Sequence, residues 1–93
     1  NTFTVKCLDT GASISDNSVV NMYVDDTYSF EVKYNNQKVS NALTSESDRV
    51  SIADNKVTAL SKGEAVVKAK NNDKEINFKV NILFTNSSSI YSC

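Results

Sequence analysis

Asp9-Thr10-Gly11-Ala12-Ser13, placed directly after the apolar pair Cys7-Leu8, is the stretch of this 93-residue chain whose residue types best spell a reaction. An Asp-Thr-Gly tripeptide behind apolar residues is the signature around an aspartic-protease carboxylate, and retroviral-type proteases are dimers of similarly short chains. That chemistry needs two carboxylates sharing one proton in a rigid, buried dyad. The scaffold for such a dyad is missing. Eight residues precede Asp9, and Gly11 and Gly63 are the only glycines, which leaves none for a flap or for a supporting glycine-ended run. The sequence therefore favours Asp9-Thr10-Gly11 as a structural turn, with an aspartic protease fragment as the remote alternative.

Cysteine is the second reactive type. Cys7 shares the parity of Phe3 and Val5 and reads as a small buried thiol. Joined instead to Cys93, it would close nearly the whole chain, a constraint worth about 4–5 kcal/mol in the loop-entropy model and one that belongs to an oxidising compartment. Both readings stand. The chain has no histidine, so a nucleophilic cysteine lacks its usual base and the commonest metal ligand is absent. Asp25 and Asp26 could join Asp48 or Asp54 around Ca²⁺, but no EF-hand spacing supplies a ligand set, and solvated turns account for them. We expect no catalytic residue, no metal and no cofactor.

Ten basic and eleven acidic side chains give a formal charge of −1, which argues against a nucleic-acid partner, since that affinity rests on clustered Lys and Arg. Lys62, Lys68, Lys70, Lys74 and Lys79 make the carboxyl half mildly basic, yet their interspersion suits a solvated face or a protected edge better than an anionic-polymer site. Tyr23, Tyr28, Tyr34 and Tyr91 could stack on sugars, although Tyr28 and Tyr34 share the face of Phe30 and read as core. No run approaches the ~18 apolar residues of a membrane span, and the amino end lacks the basic-then-apolar pattern of a signal peptide. Asn86-Ser87-Ser88 is a glycosylation sequon only on a eukaryotic secretory path.

Alternation with period two dominates the elements that must position these residues. Tyr28, Phe30, Val32 and Tyr34 interleave with Ser29, Glu31 and Lys33; Ile76, Phe78, Val80, Ile82 and Phe84 interleave with Asn77, Lys79 and Asn81. Weaker strands are expected over Phe3–Leu8, Ser18–Val24, Lys38–Leu43, Arg49–Ala53, Lys56–Leu60 and Glu64–Lys70. Between them lie Asp25-Asp26, Asn35-Asn36, Asp54-Asn55, Ser61-Lys62-Gly63 and Asn71-Asn72-Asp73, where Asn and Asp stand in for Gly because they tolerate left-handed φ. Ser61-Lys62-Gly63-Glu64 fits a capping box, but the residues after it alternate, so it reads as a hairpin turn. Short strands with regular turns spell an all-β sandwich, and a chain of this length, burying roughly 60–65% of its unfolded surface, has a lean core.

From Val24 to Ile82 the chain resembles a bacterial immunoglobulin-like domain of group 2 (Big2). The match runs through Val24-Asp25-Asp26-Thr27-Tyr28-Ser29-Phe30, Ser45-Glu46-Ser47 and Val50-Ser51-Ile52. Its most specific part is Lys56-Val57-Thr58-Ala59-Leu60-Ser61-Lys62-Gly63-Glu64-Ala65-Val66-Val67. The chain departs from the family pattern at three positions: Asp25 and Asn55 stand where glycine is usual, and Leu43 where tryptophan often is. The resemblance implies an immunoglobulin-like two-sheet β-sandwich over residues 13–83, with 1–12 as a linker or extension strand, 84–93 as a tail, and Gly63 as the fold-defining turn. It implies a non-catalytic structural or adhesion module of a bacterial cell-surface or secreted protein, extracellular, that spaces neighbouring domains of a longer chain or binds a host glycan or protein, without membrane insertion. The alternative is an accessory domain of a phage capsid or tail protein that aids attachment to cells.

Overall fold

The computed structural model describes residues 2–8 and 11–84. They form β1 (Phe3–Cys7), β2 (Ser13–Ile14), β3 (Val19–Tyr23), β4 (Thr27–Tyr34), β5 (Gln37–Lys38), β6 (Leu43–Thr44), β7 (Val50–Ala53), β8 (Lys56–Ala59), β9 (Gly63–Asn71) and β10 (Lys74–Leu83). None of the described residues is helical. One sheet has the order β2-β1-β4-β8-β7, with β5 also on β4; the other has the order β3-β10-β9-β6. Every pairing is antiparallel except β3 with β10. The opening segment therefore supplies one strand to each sheet, β1 beside β4 and β3 beside β10. With β1, β4, β8 and β7 in one layer and β6, β9 and β10 in the other, the fold is an all-β, immunoglobulin-like two-sheet β-sandwich.

The period-two pattern sets the core. Tyr28, Phe30 and Val32 of β4 are buried, as are Ala65, Val67 and Ala69 of β9 and Phe78, Val80 and Ile82 of β10. Phe30 and Phe78 belong to opposite sheets and meet at a ring-centroid distance of 5.4 Å, tilted by 42°, an offset geometry that aromatic pairs prefer. The alanines of β9 leave room for these larger side chains. Leu43 of β6 is buried. β1 pairs with β4 from Phe3↔Tyr34 to Cys7↔Phe30, and Val5 and Cys7 join the core.

Asn and Asp do substitute for glycine at the turns. Asn35-Asn36 and Asp54-Asn55 have positive φ at both positions and join strands in two-residue loops, the pattern of a type I′ turn, whose twist suits a hairpin. Two expectations are corrected. The expected strand Lys38–Leu43 is two short strands on different sheets, β5 and β6, separated where Asn41 takes φ 55°. The expected hairpin at Ser61-Lys62-Gly63 is a crossover, because β8 lies in one sheet and β9 in the other. Alternation reports which face of a strand is buried but not which sheet it belongs to, so a local pattern cannot separate these cases.

Candidate functional site

Of the protease-like segment, Gly11 and Ala12 lead into β2 and Ser13 is its first residue. The Cys7 N–H donates to Ala12 O (2.9 Å) and the Gly11 N–H to Cys7 O (2.8 Å), which closes the β1–β2 hairpin over Gly11 at φ 76°. A side chain at Gly11 would meet no neighbour, so the position needs glycine for its backbone conformation alone. Asp9 and Thr10 lie outside the described residues.

Cys7 is fully buried and disulfide-bonded. The chain contains one other cysteine, Cys93, which lies outside the described residues, as do Tyr91 and the Asn86-Ser87-Ser88 sequon. The loop carboxylates are held apart in separate turns. Asp26 Oδ2 accepts from the Tyr23 N–H (2.9 Å), Asp54 Oδ1 from the Asn41 N–H (3.2 Å), and Asp16 Oδ1 from the Asn77 N–H (2.8 Å). Among the described residues no group of three metal-ligating side chains converges. Tyr23 and Tyr28 are buried and Tyr34 is half-buried, which leaves no fully exposed ring among them for stacking. Glu75 lies beside two lysines of β9: Lys70 is paired with it in register, and Lys68 Nζ lies 3.8 Å from its Oε1.

Gly63 opens β9 at φ 134°. A Cβ there would stand 2.7 Å from Arg49 Nε, because the chain's single arginine lies across it and donates from Nη1 to Lys62 O (2.9 Å). Arg49 O also accepts from the Leu60 N–H (2.7 Å). Arg49 thus clamps the β8–β9 crossover by both its backbone and its side chain, and Gly63 is the space that admits it.

Asn55 is the buried polar residue among those described. It is 8% exposed. Its Oδ1 accepts from the Ala42 N–H (2.8 Å), its Nδ2 donates to Val39 O (2.8 Å), and its own carbonyl accepts from the Phe30 N–H (2.9 Å). The amide thereby satisfies the Val39 carbonyl and the Ala42 N–H on the backbone that passes from β5 to β6, whose Val39 N–H and Ala42 carbonyl bond instead to Val32 of β4 and Lys70 of β9. The only local signal was asparagine at a turn, and its partners are 13 and 16 residues away.

Concavities lined by described residues include two of note. One, of about 190 Å³, lies where β4 changes partner from β8 to β5, and is lined by Phe30, Glu31, Val32, Lys38, Asp54 and Asn55 among others. The other, of about 630 Å³, runs between the Thr44–Ser47 connector and β9, past Glu46, Glu64, Val66 and Lys68. Its wall is a serine ladder: Ser45 Oγ donates to Val66 O (2.7 Å) and accepts from the Ser47 N–H (3.2 Å), and Ser47 Oγ accepts from the Arg49 N–H (3.1 Å). No family model matches the chain, and neither the curated proteins nor the solved structures include a match to it.

Proposed function

We propose that this chain is a non-catalytic structural or adhesion module of the group 2 bacterial immunoglobulin-like kind, acting as a spacer in a bacterial cell-surface or secreted protein. The observation that carries the reading is the position of the two chain connections. Thr2 sits at the far end of β4: its N–H donates to Asn35 Oδ1 (3.1 Å), and its carbonyl accepts from the Asn35 N–H (2.8 Å). Leu83 sits at the near end of β4, where its carbonyl accepts from the Val24 N–H (3.0 Å) just before the Asp25-Asp26 turn that starts β4. The first strand therefore begins at one pole of the sandwich and the last strand ends at the other. A module connected in this way separates its neighbours by its own length. The disulfide at Cys7 supports an oxidising, extracellular setting, where such bonds persist. Binding of a host glycan or protein would use the loops at the poles or the outer faces, which rigid scaffolds leave free to vary.

The test is protease shaving of intact cells of the organism that makes the protein. Release of peptides from this chain, while a cytoplasmic marker stays protected, is the expected result. Protection of this chain together with that marker would end the surface reading.

A further inference from the structure

The outer edge of β9 is covered over only part of its length. β9 spans Gly63–Asn71, yet β6 pairs with it only at Ala69 and Lys68. Along residues 63–67 the strand has β10 on one side and, on the other, the groove of about 630 Å³ that residues 44–47 wall. We propose that this groove is a docking site for an extended, lysine-bearing peptide segment of a partner protein, which adds to β9 as a further strand. The inference goes beyond the spacer reading and does not rest on it.

Two hydrogen bonds fix which backbone groups face the groove. The Lys70 N–H donates to Ala42 O (3.0 Å), and Val66 O accepts from Ser45 Oγ (2.7 Å), both on the side away from β10. Because successive residues of a strand turn their backbone groups to opposite sides, the N–H and C=O of Glu64 and the N–H of Val66 also point away from β10. Among the described residues these three groups have no hydrogen-bond partner. Such a row is what an added strand bonds, and residues 63–67 span about 17 Å, room for about five residues of a partner.

Charge selects that partner. Glu46, Glu64 and Lys68 line the groove and are exposed. Lys68 Nζ lies 3.8 Å from Glu75 Oε1, whereas neither Glu46 nor Glu64 has an ion pair among the described residues. Arg49, at the β8–β9 crossover, donates to Lys62 O, and Lys79 lies one strand further in, paired in register with Val66. The groove therefore presents two uncompensated carboxylates. Side chains of an added strand alternate in direction, so lysine at every second position brings cations to Glu46 and Glu64 while the backbone bonds β9. Val66, 51% exposed, offers apolar surface to the lysine stems.

The test is an NMR titration of the isotope-labelled full chain at low salt with an end-blocked synthetic hexapeptide alternating lysine and threonine. The Glu64 and Val66 amide resonances should shift, and their hydrogen exchange should slow by about tenfold or more at saturation. A hexapeptide alternating glutamate and threonine, and the lysine peptide N-methylated at every amide, should each bind about tenfold or more weakly. Glu46→Gln combined with Glu64→Gln should weaken the unmodified peptide about two- to tenfold. No binding, shifts that miss Glu64 and Val66, equal binding of the acidic or the methylated peptide, or an unchanged affinity in the double variant overturns the proposal. So do Glu64 and Val66 shifts on concentrating the protein alone, which would make a second copy of the chain the occupant. The peptide comparison uses the wild type and decides alone if the double variant does not fold. Shaving reports where the chain lies and the titration what it binds, so either can fail while the other stands.

Discussion

Asn55 and Gly63 each combine a positive φ with a second demand, the backbone groups that the Asn55 amide serves and the Arg49 side chain that crowds Gly63. At Asn55, φ is 66° and the amide serves Ala42 N–H and Val39 O. Asn55→Gly keeps the conformation accessible but leaves both groups without their partner, at about 1–3 kcal/mol for each buried orphan. Asn55→Ala loses the same bonds and adds about 1–2 kcal/mol of left-handed strain. Urea denaturation should therefore rank wild type above Gly and Gly above Ala; a glycine variant as stable as wild type would show that the amide contributes nothing. Gly63→Ala meets two costs, its φ of 134° and the clash with Arg49. Arg49→Ala removes only the second. A double-mutant cycle should return a coupling of about 1 kcal/mol, with Gly63→Ala less harmful when Arg49 is already gone. Additive costs would mean that the guanidinium moves aside freely.

Two turns of the same type show how an element uses the same residue differently. Asn36 and Asn55 are each the second residue of a two-residue loop with positive φ at both positions, where glycine is the favoured residue. Among the described residues the Asn36 side chain has no hydrogen-bond partner, whereas Asn55 is tied to the β5–β6 connection. Asn36→Gly should be neutral or stabilise by up to about 1 kcal/mol, while Asn55→Gly destabilises. Thermal melts of the two variants should move apart, and a shift of the same sign in both would make turn geometry the only factor. The contrast also marks what was legible in the sequence. The buried faces of β4 and β10 could be read because neighbouring positions in a strand report opposite environments. Left-handed turns could be read because asparagine tolerates them. The division of residues 38–43 between two sheets could not, because the forces that split it come from Asn55, and the β8–β9 crossover could not, because Arg49 clamps it from β7's side of the chain. Of the surface concavities nothing was legible, since one arises only when the Thr44–Ser47 connector is laid beside β9 and the other only where β4 changes partner from β8 to β5.

At the scale of the whole molecule, the pairings that close the sandwich join distant parts of the chain. Residues 19–23 on β3 lie beside residues 79–83 on β10, and β1 waits for β4. Such pairings incur loop-closure entropy before any contact rewards it, so folding belongs in the ms–s range typical of β-sandwiches. The slowest ordinary complication is absent, because the chain has no proline and the tens-of-seconds phase of small proteins is usually an X–Pro isomerisation. Refolding from denaturant with the disulfide left intact should therefore be one exponential, complete within seconds, by both fluorescence of the four tyrosines and far-ultraviolet circular dichroism. A prolyl isomerase should leave its rate unchanged. A major phase of tens of seconds in stopped-flow and manual mixing would contradict this. It would mean that the two sheets first assemble with a wrong partner at the β3–β10 seam, the one place where the sandwich depends on a parallel pairing between its beginning and its end.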